Sequence, residues 1–320
     1  MQEKPKILAI VGATASGKSA LAEALAARLD GEIVSCDSMQ VYRGMDIGTA
    51  KPTPADRART PYHLLDIADP EQDFSVMDYL AAAENAVADI LGRGKLPILC
   101  GGTGLYLDAF LRGLPESPES DPALRAALTD LAEARGNAYL HAELAAVDPE
   151  SAAAIHPSNT RRVVRALEIY RQTGVTKTEW DRRSREQPAR YDATVLYLVY
   201  KDRALLYRRI EARVEEMLRE GLLAETEALR RRGVFEVSRT AAAAIGYKEL
   251  LPHLAGEVTL AEAVETLKIA TRRYAKRQIT WFSAKEYALP LVADCDGMPR
   301  NFEEIVNNAL EIYRSRNNML

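Results

Sequence analysis

The chain has 320 residues, enough for one sizeable core and a second small module. With 47% hydrophobic and 28% charged residues it is an ordinary soluble globular protein, and its net charge of −4 advertises no global affinity for a polyanion. No apolar run is long enough to cross a bilayer, and Met1-Gln2-Glu3-Lys4-Pro5-Lys6 leads straight into the first strand without a signal-peptide core.

Ile7-Leu8-Ala9-Ile10-Val11 reads as a buried strand, and Gly12-Ala13-Thr14-Ala15-Ser16-Gly17-Lys18-Ser19 after it matches G-x-x-x-x-G-K-[ST]. Leu21, Ala22, Leu25, Ala26 and Leu29 then recur at helical spacing. This order is a phosphate cradle: glycines let successive N–H groups turn toward an anion, and the helix N-terminus adds its positive end. Lys18 brings a mobile charge, and the Ser19 hydroxyl suits Mg²⁺. Glu32-Ile33-Val34-Ser35-Cys36 is a second strand ending on Asp37, placed at the carboxyl edge where α/β sheets collect ligands, as a Mg²⁺ ligand or a base. Residues 43–52 form a loop longer than a plain connector needs, and Tyr62–Asp66 is a short strand or a loop. Ser75-Val76-Met77-Asp78 opens a helix to Leu91 with a capping box. Leu96–Cys100 is the next buried strand. It ends in Gly101-Gly102-Thr103-Gly104, where a standard P-loop NTPase would place an acidic Mg²⁺ ligand, and this is read as a second approach of backbone and hydroxyl to phosphate.

Gly113–Pro122 is a linker by composition, and no strand follows before Ala193–Val199. Helical stretches over Ala123–Ala134, Leu140–Val147 and Asn159–Gln172 fill the gap. The expected fold is therefore α/β, a P-loop NTPase-like core with a parallel sheet from 1–112 and 193–320, interrupted by an all-helical insertion over 113–192. Asp202 caps a helix to Glu220 that carries Arg209 and Arg213 at i,i+4. Thr259 and Glu262 form another capping box, Leu289–Val292 is a last strand, and Phe302–Arg316 is a terminal helix.

Cys36, Cys100 and Cys295 are odd in number and far apart, which fits a reducing cytoplasm and no zinc motif. Charge is segregated. Phe110–Ile155 holds three basic and eight acidic residues, His156–Arg190 nine basic and four acidic, and Lys268–Lys285 six basic and none acidic. Basic stretches in an acidic chain fit a polyanionic partner, and Tyr274, Trp281 and Phe282 interleave aromatics with the last of them. Solvated helix faces and core aromatics are the plainer alternative.

Together these blocks resemble the tRNA dimethylallyltransferases (tRNA isopentenyltransferases) of the bacterial type. The resemblance spans Ile7 to about Phe282 and rests on Gly12–Ser19, Ser35–Tyr42, Gly44–Pro52, Gly101–Tyr106, Ile245–Glu249 and Lys276–Phe282. It implies transfer of a dimethylallyl group from dimethylallyl diphosphate to N6 of the adenosine 3′-adjacent to the anticodon, with Mg²⁺ as cofactor. It also implies a cytoplasmic, monomeric enzyme with no membrane role, whose partner is the tRNA anticodon stem-loop. Carried over by position, Gly12, Ala13, Thr14, Ala15, Ser16, Gly17, Lys18, Ser19 and Arg213 hold the diphosphate, with Ser19 on the metal. Asp37 is the general base, and Thr103 and Lys18 act on the leaving group. The tRNA contacts fall on Asp37, Ser38, Met39, Gln40, Thr103, Arg125, Arg161, Arg162, Val163, Val164, Arg165, Ala243, Ala244, Ile245, Gly246, Tyr247, Lys248, Lys276, Arg277, Gln278, Ile279, Thr280, Trp281, Phe282 and Ser283. Ala13 replaces the usual loop proline, and Ala242-Ala243 stands where many members have Met-Gln.

The alternatives are a P-loop kinase of a nucleoside or small metabolite, an NTP-regulated RNA-binding protein, and prenylation of free AMP. The kinase leaves the basic segment 268–285 without a role, and the RNA-binding protein leaves Asp37 without one.

Overall fold

The computed structural model describes residues 4–113, 118, 120–186 and 189–317. Most of the linker read at Gly113–Pro122 (114–117 and 119) lies outside the described residues. The chain forms two compact units, Met1–Phe110 with Tyr191–Leu320, and Leu111–Arg190.

The first unit is built on six strands: β1 (Lys6–Gly12), β2 (Gly31–Ser35), β3 (Tyr62–His63), β4 (Leu96–Gly101), β5 (Asp192–Val199) and β6 (Ala288–Val292). They lie in the order β3-β2-β4-β1-β5-β6, with every pairing parallel. Ile10 of β1 faces Cys100 on one side and Leu196 on the other. Helices cover both faces of such a sheet, so its inner strands are continuously apolar, and Ile7 to Val11 are all buried. Each such side chain contributes about 1.5–3 kcal/mol. The helix Lys18–Leu29 buries Leu21, Ala22, Leu25 and Ala26, and the helix Phe302–Arg316 buries Ile305, Val306, Ala309, Leu310 and Tyr313 against the same core. This is the P-loop NTPase-like arrangement.

The boundary signals act as their chemistry requires. Ser75 with Asp78, and Thr259 with Glu262, form both halves of a capping box, opening the helices Val76–Gly92 and Leu260–Ser283. Asp202 caps the helix Arg203–Glu220 through the Ala204 N–H. Because β4 inserts between β1 and β2, the chain leaves β1, β2 and β4 at neighbouring points on one edge of the sheet. The segments 12–19, 36–40 and 101–104 therefore meet there. A second apolar cluster gathers Val41, Tyr42, Met45, Val214, Leu222, Tyr247 and Leu267, joining the loop after β2 to the later helices.

The second unit is helical over Pro122–Arg135, Asn137–Val147, Pro149–Ala154, Thr160–Thr173 and Lys177–Glu186. Two of these are absent from the sequence reading. Pro149–Ala154 is too short for a period, and Lys177–Glu186 is nearly all polar. Leu128, Leu140, Leu144, Val163, Val164 and Leu167 form its core. Glu168 is fully buried there, accepting from the Asp121 N–H at 2.9 Å and bridging Arg125 and Arg165 at 2.8 and 2.9 Å. Burial pushes its carboxyl up, but the two guanidiniums hold it below its ordinary value.

Candidate active site

The loop after β1 is shaped by backbone that few residues adopt. Gly17 has φ 98°, Ala15 is itself left-handed at φ 61°, and a β-carbon at Gly12 would fall 2.8 Å from the Leu198 carbonyl oxygen. Lys18 curls back over the loop, its Nζ donating to the Ala13 carbonyl at 3.4 Å. Burial pushes the Lys18 ammonium below its ordinary value and Arg213 adds to this, against the opposing charges of Cys100 and Asp37. Arg213 is likewise pushed down by burial and supported by Asp37, while Arg209 donates from Nε to the Ala15 carbonyl at 2.8 Å. Cations gathered around a glycine loop, Lys18 and Arg213 half-buried among them, make a subsite that favours a dense anion.

Asp37 follows β2 and accepts from the Met39 N–H at 2.9 Å through one carboxylate oxygen. Thr103 stands beside it: its N–H donates to the Cys36 carbonyl at 3.2 Å, and its Oγ1 accepts from the Ser38 N–H at 3.1 Å. The glycines around Thr103 are also demanded by packing. A β-carbon would lie 1.9 Å from the Cys36 oxygen at Gly101, 2.0 Å from the Gln278 amide at Gly102, and 2.2 Å from the Trp281 ring at Gly104. Cys36 and Cys100 are buried, and burial pushes both thiols up to about 12, so neither is a nucleophile at neutral pH.

A hollow of about 240 Å³ opens from this edge. Thr14, Asp37, Ser38 and Arg213 form its polar end, and Ile210, Val214, Met217, Ile245 and Leu267 its apolar walls. Ala243, Ala244, Gly246, Lys248, Tyr274 and Arg277 also line it. A second cavity of about 60 Å³ shares Thr14, Asp37, Arg213 and Tyr274 and reaches Lys18, Ser19 and Gly101. Asp37 thus faces both an anion subsite and an apolar hollow.

The loop 46–49 that walls the hollow is held by a residue the sequence did not single out. Glu225 accepts from the N–H groups of Asp46, Ile47 and Gly48 at 3.0, 2.9 and 3.0 Å and from the Tyr247 hydroxyl at 2.7 Å. Gly48 has no room for a β-carbon, which would fall 2.5 Å from the Tyr247 ring. Lys51, its side chain 1% exposed, ties Asp46 to Asp66 at 2.6 Å each. His63 sits on Glu32 at 2.7 Å, and the Arg93 guanidinium holds the Glu32 carboxyl down to about 2. That histidine is structural.

Several expected RNA contacts have side chains committed elsewhere. Val163, Val164, Ala244 and Tyr247 are buried because they build the apolar clusters, and Phe282 is buried with its ring against Tyr197. Arg125 and Arg165 are bound to Glu168. Gln40 accepts from Ser35 and donates to the Thr49 and Ala50 carbonyls. Gln278 is 5% exposed, with its amide engaged at both ends. Arg161, Arg162, Lys248, Lys276, Arg277, Thr280 and Ser283 are exposed, and Ser38, Met39, Ile245, Ile279 and Trp281 are partly so. Within the basic stretch, Arg272 pairs with Glu211 and Glu265, Lys268 with Glu215, and Lys285 with Asp108. Among the described residues no cluster of three or more His, Cys, Asp or Glu side chains could hold a metal ion, and no helix is long and apolar enough to cross a membrane.

Comparison with known proteins adds to this geometry. Residues 40–285 match the family model described as IPP transferase, and residues 5–67 match one described as isopentenyl transferase. The chain is 47% identical over 312 residues to tRNA dimethylallyltransferase 2 of Geotalea uraniireducens, covering 98% of each. The crystal structure of a full-length tRNA isopentenylpyrophosphate transferase from Bacillus halodurans superposes with a TM-score of 0.70 at 41% identity, over 99% of both chains. A eukaryotic dimethylallyltransferase captured acting on tRNA superposes with a TM-score of 0.73 at 30% identity, over 90% of this chain and 74% of that one.

Proposed function

The chain belongs to the tRNA dimethylallyltransferase (IPP transferase) family and is a prenyltransferase, and from that premise we propose how its residues carry out the transfer. The reaction moves a dimethylallyl group from dimethylallyl diphosphate to N6 of the adenosine 3′-adjacent to the anticodon in tRNA. The observation that carries this reading is the placement of one carboxylate, Asp37, between the anion subsite and the apolar hollow. The diphosphate lies on Gly12–Ser19 with Lys18 and Arg213, and the five-carbon chain lies against apolar wall. N6 forms its bond to the allylic carbon as the carbon–oxygen bond breaks, and the electron pair leaves with diphosphate. Asp37 takes the N6 proton, without which an amine conjugated into the adenine ring is a poor nucleophile. Thr103 and Lys18 favour the transition state because charge grows on the leaving group.

Mg²⁺ suits this donor set. The Ser19 hydroxyl and the substrate's phosphate oxygens are hard ligands, and the ion ordinarily keeps water and few protein groups. Bound there, it would neutralise diphosphate charge. The tRNA contacts we assign are the exposed members of the expected set, Arg161, Arg162, Lys248, Lys276 and Arg277 among them. The adenosine must be flipped out of its stack to reach Asp37, and an unpaired loop base has little pairing to lose. Every group we assign to the chemical step lies within one unit of one chain, which fits an enzyme working as a monomer, and its three unpaired cysteines fit the cytoplasm.

Asp37→Asn tests the reading. It should lower the single-turnover rate by about 10²–10⁴-fold, with affinities for tRNA and dimethylallyl diphosphate unchanged. A near-wild-type rate would remove Asp37 from the mechanism, and recovery on raising Mg²⁺ would reassign it as a metal ligand.

A further inference from the structure

Gln278 lies in the middle of a junction between three segments far apart in sequence. Its Oε1 accepts from the Thr14 N–H at 2.8 Å, and its Nε2 donates to the Gly102 carbonyl at 3.0 Å. The partners are 264 and 176 residues away, one in the loop after β1 and the other in the loop after β4. The side chain is 5% exposed, so water does not compete for these bonds, and an amide buried without them would be costly. Gly102 is required by this contact, since a β-carbon there would fall 2.0 Å from Nε2. Trp281, three residues on along the helix, fills the matching gap at Gly104. The Thr14 N–H is therefore spent on a glutamine rather than left for an anion, although the motif counts it in the cradle. The same helix contributes Tyr274 and Arg277 to the wall of the hollow.

We propose that Gln278 is a positioning residue for the diphosphate cradle and not an RNA contact: it locks the entry of the glycine loop to the segment that carries Thr103. The N–H groups of Ala15, Gly17, Lys18 and Ser19 and the Thr103 hydroxyl are then held in one fixed relation. The proposal rests on the preceding reading only for the identity of the anion.

Inorganic diphosphate is the probe, titrated by calorimetry beside separate measurements of tRNA binding. Gln278→Met keeps the length and removes both bonds. It should weaken diphosphate binding by about tenfold or more and leave tRNA binding unchanged. Gln278→Glu separates hydrogen bonding from shape. A protonated carboxyl accepts from Thr14 and donates to Gly102, whereas a carboxylate keeps the Thr14 bond and repels the Gly102 oxygen. The groups facing this position are Lys18, Asp37, Tyr62, Cys100, Arg213 and Tyr274, so affinities are compared with the wild type at each pH. The ratio of Gln278→Glu to wild type should be near one in acid and fall as pH rises. Circular dichroism recorded at each pH separates lost binding from lost fold, since a buried carboxylate also destabilises the protein as it ionises. Unchanged diphosphate binding with weakened tRNA binding in Gln278→Met would overturn the proposal, as would a pH-independent deficit in Gln278→Glu. Failure of the wild type to prenylate tRNA would instead strike the proposed function and leave the diphosphate comparison intact.

Discussion

Lys18 shows how one side chain can be both costly and necessary. Burial pushes its ammonium below the ordinary lysine value, so without a ligand the loop is short of a counter-charge that a diphosphate supplies. The sign of the pH dependence follows. The charged form exists below the lowered value and is lost as pH rises through it, so diphosphate affinity should fall on the alkaline side before a free lysine would titrate. Lys18→Met should flatten that limb and lower prenyl transfer by about 10²–10³-fold, the cost of losing one donor aimed at developing charge. Calorimetry across pH with both proteins checks this, and an alkaline limb unchanged in Lys18→Met would assign it to another group. Lys18 was legible in the sequence through the glycine-loop motif and Asp37 because it directly follows a recognisable strand. The bonds of Gln278 and Glu225 were not, because their backbone partners lie 176 or more residues away and no local pattern predicts such bonds.

At the scale of elements, two helices wall the hollow together with a loop that a carboxylate holds in place. The segment 46–49 has no regular partner for its successive N–H groups, and Glu225, on the helix Leu222–Arg231, supplies one oxygen to two of them and the other to Gly48 and Tyr247. The blocks Gly44–Pro52 and Ile245–Glu249, unrelated in sequence, are joined through that side chain. Glu225→Ala should speed hydrogen exchange of the Asp46, Ile47 and Gly48 amides by about tenfold or more, while amides in the helix Lys18–Leu29 keep their protection. Tyr247→Phe should have a smaller effect, because three of the four bonds remain. Equal protection in Glu225→Ala would mean that the loop holds its shape without the carboxylate. The strands and capped helices were readable because hydrophobic period and capping boxes are local. The packing role of the glycines at 101, 102 and 104 was not readable because the atoms they make room for come from Cys36, just after β2, and from a helix near the far end of the chain.

For the whole molecule, one edge of a parallel sheet brings a phosphate loop, a carboxylate and a threonine from three successive strand ends to one place. The helix Leu260–Ser283 is pinned against that edge by Gln278 and Trp281. Composition alone carried little of this, since a net charge of −4 conceals basic stretches that are themselves partly neutralised by Glu168, Glu211, Glu215 and Asp108. The intact protein, on the proposed function, joins the dimethylallyl group of an allylic diphosphate to an RNA base with loss of diphosphate. Wild-type protein incubated with dimethylallyl diphosphate, Mg²⁺ and unmodified tRNA, with AMP as a parallel acceptor, gives the direct answer by mass spectrometry of the digested RNA. The expected result is one adenosine beside the anticodon heavier by a single prenyl group, stoichiometric diphosphate and unmodified AMP. An unmodified tRNA, or a mass gain confined to AMP, would contradict it.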